Sequence, residues 1–177
     1  MLRNEFIPFI SIVIPTKNSE KYISDTLYSI KNQTYKYYEI IFVDNMSIDN
    51  TVEIIKNYQL TNYNIIKIKD SGVPLALNMG FNKSKGNILT WMNSDDTYTS
   101  KNILETISIN FNNSIDLIYG DCLLLNENGF IFKSVLSSRM NYNDYVQGAN
   151  LATGSCFFSK KVWRKFYTSI KFNWHFI

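Results

Sequence analysis

Short apolar runs alternate along the chain with segments whose apolar residues recur every three or four positions. The runs at 9–15 and 39–44 are rich in β-branched residues, which predicts strands buried on both faces of a sheet. Residues 64–69 and the apolar run that starts at Asn87 predict two further strands. Because the segments between them have helical spacing, the pattern predicts right-handed crossovers and a mostly parallel central sheet flanked by helices.

The first of these helices has its apolar residues on one stripe. Ile23, Leu27 and Ile30 are separated by four and then three residues, as expected of a helix that packs one face on a sheet. Asn18 and Ser19 both have side chains that cap helices well, and we expect one of them to cap this helix.

The pattern becomes less regular after Ser100, which we expect to cap a helix of its own. Apolar runs at 117–125 and 130–136 flank Asn126-Glu127-Asn128-Gly129, and Asn-Gly between apolar runs predicts a β-hairpin. Residues 152–158 predict a last strand, followed by a short helix. The sequence contains no internal repeat and no linker, so we expect a single domain over residues 1–177.

Composition and charge narrow the class of protein. With 45% hydrophobic, 19% charged and 15% aromatic residues, the 177-residue chain is a normal globular protein. Its net charge is +3 and its lysines are spread singly, which gives no indication of nucleic acid as a partner. Two cysteines and the lack of a signal peptide favour the cytoplasm, and no apolar run approaches the roughly 18 residues of a membrane span.

Three predicted strands end in polar residues. Thr16-Lys17-Asn18 follows the first strand, Asp44-Asn45 the second, and Asn93-Ser94-Asp95-Asp96 the fourth. Ligands of open parallel sheets bind at the carboxyl ends of the strands, so we expect these residues to converge on one crevice. A carboxylate at Asp44 suits the hydrogen-bond donors of a base or ribose. A metal-bound carboxylate at Asp96 suits a diphosphate, and together they predict a nucleotide site.

Asp95 and Asp96 form the most informative pair. Adjacent carboxylates repel and raise each other's pKa unless a cation lies nearby, and a hard metal ion takes oxygen ligands. We expect Asp96 to hold the metal and Asp95 to contact the sugar or ribose. The sequence has neither Gly-x-Gly-x-x-Gly nor Gly-Lys-Ser/Thr, so the diphosphate must be bound mainly through the metal.

Local structural roles remain open for the other polar residues. Residues 16–19, taken alone, are better explained by a helix cap than by a binding role. Asp44 and Asp49 suit the turn and cap that precede Thr51. The only histidine, His175, has no partners for a Ser-His-Asp arrangement.

Three segments, 11–18, 40–51 and 91–96, resemble the family 2 glycosyltransferases of GT-A fold, in order and at the family's spacing. The resemblance implies a GT-A nucleotide-diphospho-sugar transferase domain. It implies that Pro15, Thr16 and Asn18 line the nucleotide pocket and that Asp44 contacts the base. Ser94-Asp95-Asp96 takes the place of the D-x-D motif, with Asp96 as the ligand of Mn²⁺ or Mg²⁺.

Two further motifs resemble family elements that lie near the donor. Asp70-Ser71-Gly72 is similar to a D-x-G element and Asn78-Met79-Gly80 to an N-K-G element, which places Asp70 and Asn78 near the donor. The chain departs from the family at Pro74-Leu75, where relatives often carry a polar residue, and at Met79, where they carry lysine.

The C-terminal part resembles the segment that leads into the family's acidic catalytic motif. Residues 154–163 match that segment, and His175-Phe176 resembles the residues just before the motif. The chain stops at Ile177, so we expect it to be short of the catalytic base. Asp121 and Asp144 are weak substitutes for that base.

The resemblance implies an inverting transfer of a sugar from a nucleoside diphosphate, foremost UDP, to a hydroxyl of a glycan, a lipid-linked acceptor or a protein. We expect a cytoplasmic protein, with peripheral membrane contact as an option. Two alternatives remain: a nucleotide-sugar-binding remnant without a general base, and an unrelated α/β binding domain with a structural acidic pair.

Overall fold

The protein was analysed as a computed structural model that describes residues 7–69, 72–112, 114–137 and 153–169, with side chains as far as Lys165. Strands and helices alternate through the first two thirds of the chain, and shorter strands follow. In chain order the elements are β1 Ile10–Thr16, α1 Ile23–Lys31, β2 Tyr38–Asp44, α2 Thr51–Asn57, β3 Tyr63–Lys67, α3 Val73–Lys83, β4 Ile88–Trp91, α4 Ile103–Asn110, β5 Leu117–Tyr119, β6 Cys122–Leu125, β7 Ile131–Val135, β8 Cys156–Ser159 and α5 Lys160–Ser169.

The central sheet has six strands in the order β3-β2-β1-β4-β8-β5. β1 pairs in parallel with β2 and β4, and β2 pairs in parallel with β3. The chain therefore leaves β1 in one direction and returns to its other side at β4. In parallel sheets this reversal opens a crevice at the carboxyl ends of the strands. The predicted mostly parallel sheet is confirmed.

Alternating side chains of the strands fill two apolar layers, one on each face of the sheet. On one face, α1, α2 and α4 pack on strand residues such as Ile12 and Phe42. On the other face, α3 and Trp163 of α5 pack on Val13 and Ile41. Every residue of β2 is buried, which explains the continuous apolar run over residues 40–43.

The C-terminal strands pair in a way that the sequence did not predict. β8 lies between β4 and β5 and runs antiparallel to both. The predicted strand over 117–125 is wrong as one element, because the chain leaves the sheet at Gly120 and Asp121 and resumes as β6. β6 pairs with β7 across Asn126 to Gly129, so the predicted hairpin is confirmed.

The predicted helix caps are wrong. α1 begins at Ile23 and α4 at Ile103, and in neither helix does the N-cap side chain bond to the backbone. Asn18 and Ser19 lie upstream of α1 and hydrogen-bond to other loops, whereas Ser100 Oγ accepts the N–H of Asn102 at 3.3 Å.

Among the described residues no helix is long and apolar enough to cross a membrane.

One close approach fixes α3 against the sheet. A Cβ added at Gly80 would lie 2.3 Å from Val13 Cγ1, and Val13 is fully buried in β1. The absence of a side chain at this position lets α3 lie directly on the strand.

Gly80→Ala is expected to destabilise the domain by about 1–3 kcal/mol through overpacking, although alanine is the better helix former. Denaturant unfolding measures this difference. Gly120→Ala is the control, because nothing lies within 4 Å of the Cβ that it would add. Equal midpoints for the two variants would contradict this account of the packing.

Candidate functional site

The ends of β1 and β2 lie side by side at the carboxyl edge of the sheet. Thr16 and Asp44 are partners in the strand register, and Thr16 Oγ1 donates to Asp44 Oδ1 at 3.3 Å. The N–H of Asn45 continues the pairing by donating to the Thr16 carbonyl at 2.9 Å. Pro15, just before this point, is half-buried. Two of the predicted nucleotide-binding residues are thus in contact.

The carboxylate of Asp44 is almost fully enclosed. It is 1% exposed and accepts hydrogen bonds from Ser47 as well as from Thr16. The N–H of Ser47 donates to Oδ2 at 3.1 Å and its hydroxyl to Oδ1 at 2.5 Å. Asp44 therefore holds the turn after β2, the local role that the sequence left open. An ionised carboxylate has about four acceptor sites, so Oδ2 retains capacity for one more donor.

Asp49 has the local role that its sequence position suggested. Its Oδ1 accepts both the N–H and the hydroxyl of Thr51, and its Oδ2 accepts the N–H of Glu20. Desolvation acts to raise the pKa of Asp49, but these hydrogen bonds outweigh it and lower the pKa below its usual value. Asp49 is thus a structural residue at the start of α2.

Side chains join the loop after β1 to the loop after β2 at several points. The segment 18–20 faces residues 47–51, and most of the bonds engage a backbone N–H that has no partner in a helix or strand. The bonds are Asn18 N to Ser47 Oγ (2.9 Å), Ile48 N to Asn18 Oδ1 (3.0 Å), Ser19 N to Thr51 Oγ1 (2.6 Å), Glu20 N to Asp49 Oδ2 (3.0 Å) and Asn50 N and Nδ2 to Glu20 Oε2 (3.0 and 2.9 Å).

The acidic loop after β4 is bonded to the same segment from the other side. The hydroxyls of Ser19 and Ser94 lie 2.7 Å apart, and Thr26 Oγ1 donates to the Ser94 carbonyl at 3.0 Å. Ser19 therefore touches both neighbouring loops. All three polar segments that the sequence placed at strand ends meet at one edge of the sheet.

Asp96 is half-buried and Asp95 is exposed. Asn93 donates twice to Asp96 Oδ2, from its N–H at 3.1 Å and from Nδ2 at 2.9 Å. Burial raises the pKa of Asp96, and the charge of Asp95 raises it further, although the bonds from Asn93 act in the opposite direction. The predicted repulsion within the acidic pair is present.

A divalent cation fits this carboxylate as a shared ligand. Both bonds from Asn93 go to Oδ2, so Oδ1 could bind a cation. The raised pKa of Asp96 shows that its negative charge is not well stabilised by its surroundings. Within the described ranges, His, Cys, Asp and Glu form no group of three that could hold a metal ion. A cation at Asp96 would therefore take its other ligands from a diphosphate and water.

Residues from the C-terminal strands border the acidic loop. A Cβ added at Gly154 would lie 3.4 Å from Asp96 Oδ2. Burial raises the pKa of the Cys122 thiol, and the nearby charges of Asp96 and Asp121 raise it further, although a bond with Ser155 lowers it. Sequence reasoning did not assign Gly154 and Cys122 to the site, because only the pairing of β8 with β4 and β5 places them there.

Of the remaining predicted site residues, the structure describes Asn78 and Asp121 but not Asp70 and Asp144. Asn78 lies half-buried in α3. Asp121 follows β5 and directly precedes Cys122, whose thiol pKa is raised by the charges of Asp96 and Asp121. Asp70 and Asp144 lie outside the described residues.

The fold is an α/β domain in which three polar loops, one of them acidic, meet at the carboxyl edge of the sheet. The model of one protein family, glycosyl transferase family 2, matches residues 11–168, and the chain belongs to that family.

Known relatives agree with this assignment. An uncharacterised glycosyltransferase of Haemophilus influenzae is 28% identical over 147 residues, covering 80% of this chain and 58% of the relative. The Escherichia coli protein WfgD, named a UDP-Glc:α-D-GlcNAc-diphosphoundecaprenol β-1,3-glucosyltransferase, is 25% identical over 153 residues, covering 80% of this chain and 56% of WfgD. The chain thus spans a little over half the length of these two relatives.

A solved structure shows the same fold. Residues 1–349 of Staphylococcus aureus TarS, in complex with UDP-GlcNAc, superpose with a TM-score of 0.73 at 19% identity, covering 89% of this chain and 47% of that one. The likeness identifies the GT-A fold.

The bond between Ser19 and Ser94 is expected to couple the first and third loops energetically. In a double-mutant cycle of Ser19→Ala and Ser94→Ala, we expect a coupling free energy of about 0.5–1.5 kcal/mol, as for one partly buried hydrogen bond. Denaturant unfolding of the four proteins supplies it. Strictly additive losses would show that the two hydroxyls do not stabilise each other.

Proposed function

We propose that this domain binds a UDP-sugar with a divalent metal ion and transfers the sugar, with inversion, to an acceptor hydroxyl. The observation that carries the proposal is the half-buried Asp96, a poorly compensated carboxylate on a loop bonded through Ser19 to the loop of Asp44. This arrangement brings an acceptor for base or ribose donors and a cation ligand to one edge of the sheet.

Two known proteins favour uridine as the nucleotide. The name of WfgD specifies UDP-Glc as its donor, and the TarS fragment was solved with UDP-GlcNAc. Pro15, Thr16 and Asp44 would line the base end of the pocket, and Asn78 would lie near the donor. Asp95, exposed beside Asp96, is free of the turn bonds that engage Asp44 and would contact the sugar or ribose.

The metal, Mn²⁺ or Mg²⁺, would be held by Asp96. When bound, such an ion offsets the charge that grows on the departing diphosphate. The chain's own part is to orient the carboxylate, and Asn93 does so by binding Oδ2 twice. Gly154 lies beside the same oxygen. A Cβ at this position would be in van der Waals contact with Oδ2, so the absence of a side chain leaves that space open.

Inversion also requires a base that removes the proton of the acceptor hydroxyl. Asp121, which lies between β5 and β6, is the weak candidate among the described residues. Asp144 is the second candidate. If neither residue acts as a base, the domain would bind the nucleotide-sugar donor but transfer its sugar poorly. Donor binding with little or no transfer is the alternative function that we retain.

The acceptor is proposed by class only. WfgD is named for a lipid-linked acceptor, and a glycan or protein hydroxyl would meet the same chemistry. A cytoplasmic enzyme with peripheral membrane contact would suit a lipid-linked acceptor.

Calorimetric titration with UDP, with and without Mn²⁺, tests the donor site. We expect Mn²⁺ to strengthen UDP binding and Asp96→Ala to remove that gain. The loss should be about tenfold or more, since even outer-shell partners of a metal change its affinity by about 10- to 100-fold. Asp25→Ala, which removes an exposed aspartate on α1, is the matched control. UDP binding that is indifferent to Mn²⁺ and to Asp96→Ala would contradict the site.

Assays with a panel of UDP-, GDP- and dTDP-sugars separate transfer from donor binding alone. We expect slow hydrolysis of a UDP-sugar as the minimal activity, reduced by Asp121→Asn if Asp121 is the base. Undiminished hydrolysis in Asp121→Asn would exclude that role, and UDP binding without any turnover would favour the binding-only alternative.

A further inference from the structure

We propose that Asn18 is a positioning residue that fixes the loop carrying Asp44, and that it acts on the nucleotide through this loop instead of by direct contact. The inference rests on the proposed function, since it concerns the same nucleotide pocket. It departs from the role that the family resemblance implied for Asn18.

The backbone of Asn18 has a conformation that few residues adopt. Its φ is +50°, in the left-handed region where asparagine is among the best tolerated residues other than glycine. This conformation turns both the N–H and the side chain of Asn18 toward the loop after β2. The N–H donates to Ser47 Oγ at 2.9 Å, and Oδ1 accepts the N–H of Ile48 at 3.0 Å.

Ser47 connects Asn18 to Asp44. The hydroxyl of Ser47 accepts the bond from Asn18 and donates its own hydrogen to Asp44 Oδ1, at 2.5 Å. The N–H of Ser47 donates to the other oxygen of Asp44. A continuous chain of hydrogen bonds therefore runs from the backbone of Asn18 through one hydroxyl to the carboxylate.

Hydrogen bonds, and not apolar packing, hold the centre of the loop. Met46 and Ile48 are 52% and 92% exposed, so the loop's own apolar side chains contribute little packing. Met46 also has a φ of +53°, which is unfavourable for a residue with a side chain. Because apolar burial does not fix residues 46–48, hydrogen bonds must: Asn18 binds Ser47 and Ile48, and Asp44 binds Ser47. Ser19 and Glu20 secure the far end of the loop, at Asp49, Asn50 and Thr51.

The side-chain oxygen distinguishes positioning from direct contact. Asn18 Oδ1 already accepts the N–H of Ile48, so positioning needs an acceptor at this site and no amide group. Asn18→Asp keeps the acceptor and tolerates positive φ. Asn18→Gly keeps the backbone conformation and removes the acceptor.

Amide hydrogen exchange at Ile48, measured without nucleotide, tests the first half of the proposal. We expect exchange about tenfold faster in Asn18→Gly, as for the loss of one hydrogen bond, and near wild type in Asn18→Asp. Unchanged exchange in Asn18→Gly, or fast exchange in Asn18→Asp, would overturn the positioning role.

A double-mutant cycle on UDP affinity tests the second half. Asn18→Gly removes the bond to Ile48, and Ser47→Ala removes the hydroxyl that joins Asn18 to Asp44. Each should weaken UDP binding about five- to tenfold, and the double variant should lose little more, because either substitution releases the same loop. Additive losses would show that Asn18 contacts the nucleotide independently and would overturn the proposal. If the wild type binds no UDP while Ile48 exchange behaves as expected, the proposed function fails and the positioning of the loop stands.

Discussion

The candidate site depends on side-chain hydrogen bonds that satisfy the backbone of three neighbouring loops. Loop N–H groups have no partner in a helix or strand, so side chains or water must supply one. Here Asn18, Ser47, Asp49 and Thr51 supply the missing partners across loop boundaries. Ser19 extends the same network to the acidic loop at Ser94. The loops are thus fixed relative to one another before any ligand binds.

The sheet makes this network possible. Strands β1, β2 and β4 are adjacent and parallel, so their carboxyl ends meet at one edge. Buried apolar residues on both faces hold the strands in register, and Gly80 allows α3 to lie directly on Val13. When the loops at one edge of a rigid sheet are already held by hydrogen bonds, a charged ligand can bind there without the free-energy cost of ordering them. Asp95 and Asp96 lie at the same edge, and a bound cation would reduce the repulsion between their charges.

The apolar pattern was sufficient to predict the parallel strands and their helices, since continuous runs and helical spacing report burial directly. It was insufficient for the helix caps. Ser19 favours a local bond by its type, yet its hydroxyl lies against Ser94, which is 75 residues away. The insertion of β8 between β4 and β5 was equally invisible, because pairing between distant strands leaves no local mark. The hairpin across residues 126–129 could be predicted because the turn between two adjacent strands is encoded locally.

The convergence of the polar segments was predicted for the same reason. Polar residues at or after the ends of buried strands placed Thr16, Asp44 and Asp96 at one edge of the sheet from their positions alone. The geometry then divided their roles: Asp44 is engaged by Ser47, whereas Asp96 keeps one oxygen free of the bonds from Asn93. Gly154 and Cys122 reach Asp96 only through the antiparallel strands.

Backbone amide chemical shifts, followed by nuclear magnetic resonance during titration with UDP and Mg²⁺, test the central claim most directly. We predict that the shifts change at residues 16–20, 44–49 and 93–96, which together form the carboxyl edge of the sheet. Changes confined to the opposite edge, around Lys83 and Lys85, or no changes at saturating UDP, would contradict the claim.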